Sequence, residues 1–202
     1  MLRVDGLSFS YPSRALFKDW EATFLPGLHL VCGDDGCGKT TLLRLLAADL
    51  GAQAGEIRLG RFALTDDAPT YRRQLFRTDP TSDVFDDMTP PQWFEKLRGA
   101  HAGFDMASAE KLLVQLFLQE HLHKTGHMLS TGSRRKVWLA AALASGADLV
   151  LIDQPFAALD APSIRAVTEL LQQAGQAADR IVVVADYEAP AGLTFTSTHA
   201  LV

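Results

Sequence analysis

Apolar positions along this chain fall into short runs whose period changes, and those changes mark out the elements. Val4, Leu7, Phe9 and Tyr11 mix alternating and contiguous positions and stop at Pro12, which predicts a strand over 2–11. Trp20 to Leu25 alternates again, and Pro26-Gly27 turns the chain into Leu28-His29-Leu30-Val31, a short buried strand. An apolar-rich helix over 39–49 follows, ending near Gly51. Gly55 to Gly60 reads as a strand bracketed by glycines, and Arg73 to Arg77 as a weaker one. From Asp79 to Pro91 the composition shifts to Asp, Thr, Ser and Pro, a loop into a separate region. Helical spacing then recurs over 91–98, over 108–119 (Leu112, Leu113, Leu116, Phe117) and over 133–145. Leu149 to Ile152 and Ile181 to Val184 are unbroken apolar runs, separated by a helical pattern over 162–174 with Ile164, Val167, Leu170 and Leu171.

Strands that read as continuous apolar runs and alternate with helices imply an α/β fold with a mostly parallel sheet flanked by helices. The alternating N-terminal strands add an antiparallel β portion. The helix-only stretch at about 85–140 reads as an inserted helical subdomain within a single domain over 1–202. The main lobe is then about 1–80 and 145–202. The length suffices for a sizeable core, and 48% hydrophobic with 21% charged residues is ordinary for a globular protein.

Charge and cysteine content narrow the function classes. A net charge of −5 argues against nucleic acid as the partner, since a phosphate backbone demands a basic surface. The one basic cluster, Arg134-Arg135-Lys136, reads as a solvated helix face. No apolar run reaches bilayer length and Met1 to Gly6 lacks a signal-peptide pattern, so a cytoplasmic location is expected. Cys32 and Cys37 suggest neither a disulfide framework nor a zinc site; Cys37 reads as a small filler residue. His121, His123 and His127 have a spacing that neutral imidazoles could use for Zn²⁺, but no cysteine or acidic cluster completes the set.

Chemistry concentrates at residues 33–41, Gly-Asp-Asp-Gly-Cys-Gly-Lys-Thr-Thr, a full match to G-x-x-x-x-G-K-[ST]. Gly33, Gly36 and Gly38 allow the backbone to curl, so that its N–H groups, with those of Asp34, Cys37 and Thr41, point at phosphate oxygens. Lys39 then reaches the β- and γ-phosphates and Thr40 ligates Mg²⁺. The competing reading is a glycine-rich turn between a strand and a helix. Asp153 follows the apolar run 149–152 at the carboxyl end of its strand, where ligands gather and where a carboxylate holds Mg²⁺ through water.

With the phosphate loop and Asp153 in place, Leu129-Ser130-Thr131-Gly132-Ser133 resembles the Leu-Ser-Gly-Gly-Gln signature of the ATP-binding subunits of ABC transporters. The resemblance covers almost the whole chain. In size it is most similar to the short subunits of haem-export or cytochrome c maturation systems. It implies a P-loop NTPase fold whose main lobe is catalytic, with ATP and Mg²⁺ as cofactors. It also implies a second nucleotide-binding subunit as partner, identical or homologous, and a separate transmembrane permease to which the chain is peripheral. Ser130 and Gly132 would contact the γ-phosphate of ATP held by the opposite subunit; a Ser N-cap on an ordinary helix accounts for the local pattern as well. Tyr11 matches the aromatic that stacks on adenine, and Asp160, in Ala157-Ala158-Leu159-Asp160, matches the loop that crosses the interface.

Departures from the family pattern bear on catalysis. Gln154 stands where the resemblance implies a glutamate that polarises water, and an amide cannot accept the proton. Asp79 stands near the family's Mg²⁺-sensing glutamine, and Ala185 where a histidine that contacts the γ-phosphate is expected. Thr131 and Ser133 alter the signature. The expected protein binds MgATP and hydrolyses it slowly, with Lys39, Asp153 and Gln154 as its catalytic positions. The alternative is a regulatory or assembly protein in which bound ATP stabilises a dimer without transport. A P-loop kinase leaves the signature unexplained.

Overall fold

The computed structural model describes residues 1–177 and 179–202. Two sheets share the strands. One is antiparallel in the order β2-β1-β4-β5, formed by β1 (Leu2–Tyr11), β2 (Arg14–Phe24), β4 (Ala54–Leu59) and β5 (Phe62–Ala63). The other is parallel in the order β6-β7-β8-β3-β9, formed by β3 (Gly27–Cys32), β6 (Leu75–Arg77), β7 (Leu149–Asp153), β8 (Ile181–Asp186) and β9 (Ser197–Ala200). The helices are α1 (Lys39–Leu46), α2 (Ala68–Arg72), α3 (Pro90–Ala100), α4 (Met106–Gln115), α5 (Thr131–Ala144) and α6 (Ala161–Gly175). The α/β class, the parallel sheet flanked by helices and the N-terminal antiparallel portion are all present.

The apolar strands of the parallel sheet divide their side chains between two cores. Leu28, Leu30, Val150, Ile152, Val182 and Val184 pack toward α5, α6 and the aromatic cluster of the helical region. Val31, Leu149, Leu151, Ile181, Val183 and Ala185 pack toward α1 and the inner face of the antiparallel sheet. Both faces of the central strands are therefore dry, and unbroken apolar runs are required there. Between Arg77 and Leu149 the described chain is helical without a strand. Its core stacks Phe85 on Trp93 at 4.5 Å and sets Trp93 edge-on to Trp138 at 4.7 Å.

Two helices stop earlier than their patterns suggest, for the same reason. Helix α1 ends at Leu46, because Ala48 adopts a left-handed conformation and the N–H of Asp49 turns back to Arg44 O at 2.8 Å. Helix α4 ends at Gln115, because Phe117 is left-handed and the N–H of Leu118 returns to Leu113 O at 2.9 Å. Neither stop uses glycine. Helix α4 also begins earlier than expected, since the Asp105 carboxylate caps it by accepting from the N–H of Ser108 at 3.2 Å. Strands β5 and β9 and the short helix α2 are additions to the pattern.

Candidate functional site

Strand β3 delivers the chain into the glycine loop, and α1 begins at Lys39 directly behind it. Gly33 (φ 149°) is obligatory: a Cβ there would stand 2.4 Å from the Leu201 carbonyl oxygen and 2.8 Å from Cys37 Sγ. Gly38 caps the helix in a left-handed conformation (φ 108°), which turns the first amides of α1 toward the loop. Lys39 is 5% exposed, and its Nζ donates to the carbonyls of Gly33 (2.5 Å) and Asp34 (2.9 Å). The lysine is thus folded onto its own loop, and phosphates would take over those bonds. Cys37 is buried, 3.9 Å from Nζ.

Register brings the opposite wall to the loop. Strand β7 pairs with β8, which pairs with β3, so Asp153 lies beside Ala185 and Asp186 beside Cys32. Thr40 Oγ1 donates to Asp153 Oδ2 at 2.5 Å, across 113 positions of sequence. Asp153 Oδ1 is buried without a partner. Burial pushes the Asp153 carboxyl above its ordinary value, against the pull of the Thr40 hydrogen bond and of Lys39, Arg77 and Arg135. These residues fit the expected ligands. Hard oxygen donors from Thr40 and Asp153 converge with one carboxylate oxygen unsatisfied, the donor set Mg²⁺ selects, and amides with a buried ammonium suit phosphates.

A cleft of about 380 Å³ opens beside the loop, lined by Tyr11, Arg14, Asp35, Lys39, Thr41 and Gln154 among others. The Tyr11 hydroxyl lies 3.4 Å from Thr41 Oγ1, and its half-exposed ring packs edge-on against Phe9 at 5.0 Å. Gln154 is left-handed (φ 47°), with its N–H bonded to Ala185 O at 2.8 Å, so the chain turns sharply out of the sheet there.

Ser130, Gly132 and Asp160 gather elsewhere. They line a second cleft of about 510 Å³ with Ser133 and Lys136, and it shares no lining residue with the loop cleft. Ser130 caps α5 by accepting from the N–H of Ser133 at 3.1 Å, and Asp160 caps α6 by accepting from that of Ser163 at 3.0 Å. Helix α5 meets the 157–160 loop closely: a Cβ on Gly132 would stand 2.4 Å from Ala158 O, and Arg135 Nη1 donates to Ala157 O. One copy of the chain therefore does not bring the signature residues to its own phosphate loop.

Asp79 also stands apart. Its carboxylate pairs with Arg77 at 2.9 Å and accepts from Thr81 at 2.7 Å, and Arg77 in turn holds Asp49 at 2.6 Å. Burial alone would raise Asp79, but the hydrogen bonds from Thr81 and Arg77 hold it below the ordinary carboxylate value. It lines a third cleft, with Trp93 and Trp138. The histidines of 121–127 are engaged separately: His121 Nδ1 with Lys124 Nζ at 3.1 Å, and His127 Nδ1 with Asp86 O at 2.8 Å. Among the described residues no group of three or more His, Cys, Asp or Glu is placed to hold a metal ion.

Strand β8 differs from its sequence pattern in a way that changes the site. The apolar run ends at Val184, but the strand continues to Asp186. Ala185 is fully buried in it, with its side chain in the core, so the residues that emerge beside the loop are Asp186 and Tyr187. Burial raises the Asp186 carboxyl too, with Asp153 pushing in the same direction. The Tyr187 hydroxyl donates to Asp35 Oδ1 at 2.7 Å, and Lys39 Nζ lies 4.7 Å from its ring centroid. Asp186, Tyr187 and Asp35 are the polar neighbours that the motif leaves out; a strand end set two residues later would have exposed the first two.

Known proteins resemble this chain at several levels. A family model described as ABC transporter matches residues 21–157. A cytochrome c biogenesis ATP-binding export protein, CcmA, of Nitrosococcus oceani is 33% identical over 202 residues, covering 99% of this chain and 87% of the relative. The aliphatic sulfonates import ATP-binding protein SsuB 1 of Streptomyces avermitilis is 33% identical over 205 residues, covering 92% and 73%. A solved structure described as the ATP-binding subunit of an ABC transporter superposes with a TM-score of 0.81 at 23% identity, covering 93% of this chain and 79% of that one, a likeness of fold.

Proposed function

The chain belongs to the ABC transporter family, as an ATP-binding subunit, and from that premise we propose that it binds MgATP at the interface of a head-to-tail dimer. The observation that carries this reading is the separation of two half-sites on one chain. The phosphate loop lines one cleft, with Asp153 bonded to its Thr40, while Ser130, Gly132 and Asp160 line another. A second copy or a homologue would bring its signature onto this loop, and this chain's signature would serve the partner's. Tyr11 stacks on adenine; Gly33 to Thr41, with Lys39, hold the phosphates; Thr40 and Asp153 hold Mg²⁺. The metal would supply charge neutralisation between the β- and γ-phosphates. Asp79, expected in that metal set, is held by Arg77 at 2.9 Å and Thr81 at 2.7 Å.

Closure of the dimer would drive a separate membrane permease, placing the chain on the cytoplasmic face of the membrane. None of the described helices is long and apolar enough to cross a bilayer. Hydrolysis is slow in this reading, because Gln154 has no proton-accepting group and the end of β8 offers no histidine. Positioning and charge stabilisation remain, so ATP-driven closure survives slow turnover. Titration with a fluorescent ATP analogue tests the core of the proposal: Lys39→Ala abolishes binding, and unchanged affinity refutes it.

Gln154 also favours a second reading, a regulatory or assembly protein in which ATP stabilises the dimer and no transport follows. Co-purification with a multi-span membrane protein separates the two. A stable complex supports transport, and an ATP-dependent dimer without one supports the second reading.

A further inference from the structure

Tyr187 is 49% exposed, yet all its polar contacts are to the phosphate loop or the residues facing it. Its backbone carbonyl accepts from the N–H of Gly33 at 3.3 Å. The hydroxyl donates to Asp35 Oδ1 at 2.7 Å, and the ring lies 4.7 Å from Lys39 Nζ. The Tyr187 N–H donates to Asp186 Oδ1 at 2.8 Å, and Gln154 is a further polar neighbour. The backbone of a half-exposed residue is tied to the loop here, and its side chain is held by Asp35 at the hydroxyl and Lys39 at the ring.

Those links are placed where a nucleotide must act. Lys39 is the group that reaches the β- and γ-phosphates, so the ring against its amine stands at the outer, terminal-phosphate end of the loop. Asp35 is an anion within the loop, and it accepts a hydrogen bond from the Tyr187 hydroxyl. In the ATP-binding reading, phosphates would draw Lys39 from the Gly33 and Asp34 carbonyls and bring a second, more highly charged anion toward the Tyr187 hydroxyl. A phenolic O–H donates one proton, so Asp35 and a terminal phosphate compete for it.

We propose that Tyr187 discriminates ATP from ADP: its hydroxyl transfers its hydrogen bond from Asp35 to the γ-phosphate, while its ring stays against Lys39. A diphosphate stops short of that end of the loop and leaves the Tyr187–Asp35 bond in place. Preference for the triphosphate then comes from one donor that only ATP recruits, and Tyr187 is a specificity-determining residue. The proposal rests on the ATP-binding reading above.

The test is equilibrium titration of the full chain with fluorescent ATP and ADP analogues in Mg²⁺, for wild type and Tyr187→Phe. The phenylalanine keeps the ring over Lys39 and removes only the hydroxyl. A hydrogen bond to a charged acceptor supports a fall of about tenfold in the ATP-to-ADP affinity ratio, arising from weaker ATP binding with ADP affinity spared. An unchanged ratio overturns the proposal. Equal weakening of both nucleotides also overturns it, since that assigns Tyr187 to packing of the loop alone. Wild-type protein that binds neither nucleotide refutes the ATP-binding reading itself, an outcome distinct from a variant that merely keeps its ratio.

Discussion

The two walls of the proposed nucleotide cleft are assembled differently. On one wall, residues 33–41 form a continuous peptide that carries every defining group of the phosphate-loop motif. On the other, Asp153 and Gln154 from the end of β7 meet Asp186 and Tyr187 from the end of β8 only because the strands pair in register. The first wall satisfies the phosphate-loop motif at each defining position. The second departs from the family's pattern at Gln154, and at the end of β8. A contiguous motif keeps its chemistry as a unit, whereas an assembled wall can lose one group while its neighbours stay in place.

Four changes test that contrast, beginning with the largest expected effect. Gln154→Glu places a carboxylate where the amide stands, and steady-state ATPase should rise by about a hundredfold, the low end of general-base contributions. Absence of any gain would locate the block at the end of β8. Asp153→Asn keeps the shape of the strand end but removes its charge. Mg²⁺ affinity, measured by the cation dependence of ATP binding, should fall roughly tenfold or more, while nucleotide binding without metal changes little.

Gly33→Ala probes the continuous wall. Its Cβ would meet the Leu201 carbonyl oxygen at 2.4 Å in a backbone region hostile to L-residues, and backbone cannot yield cheaply. A loss of about 2–3 kcal/mol is expected, and Tm should fall by roughly 5–10 °C. A smaller loss would show that the loop reshapes freely.

The smallest effect is a pH dependence to which buried histidines and buried carboxylates contribute with opposite signs. Burial lowers His29, on β3 beneath the loop, below its ordinary 6.5, against a weaker pull from the Leu25 carbonyl. Burial likewise lowers His199 on β9, with His29 adding to the effect. The unfolded chain takes up these protons first, so their contribution to stability is complete above about pH 6.5 and is lost as pH falls toward the folded values. Asp153 and Asp186, raised by burial, act oppositely: they weigh on the fold while charged and cease to as they take up protons. Thermal midpoints should therefore fall between pH 7.5 and 5.5, and His29→Gln should flatten that slope.

How much of this was legible in sequence follows the same division. The parallel strands announced themselves because both faces are dry, and the phosphate loop because its residues are adjacent. Helix ends were harder: Ala48 and Phe117 adopt left-handed stops without the glycine that usually marks one, and tertiary contacts decide them. Strand β9 reads Ser-Thr-His-Ala, too polar to register as a strand, yet it pairs in parallel with β3 at the edge of the sheet. On the assembled wall, the apolar run stops at Val184 while the hydrogen-bonded strand continues to Asp186, so the residues facing the loop were set one or two places too early. Hydrophobicity ends where the core ends, and pairing continues beyond it.

The only two thiols of the chain, Cys32 and Cys37, bracket the phosphate loop from below and within, one half-buried and one buried. That arrangement is a built-in footprinting device. Alkylation of the unmodified protein, read by mass spectrometry with and without nucleotide, reports occupancy and opening of the loop residue by residue. No label, tag or substitution needs to be introduced.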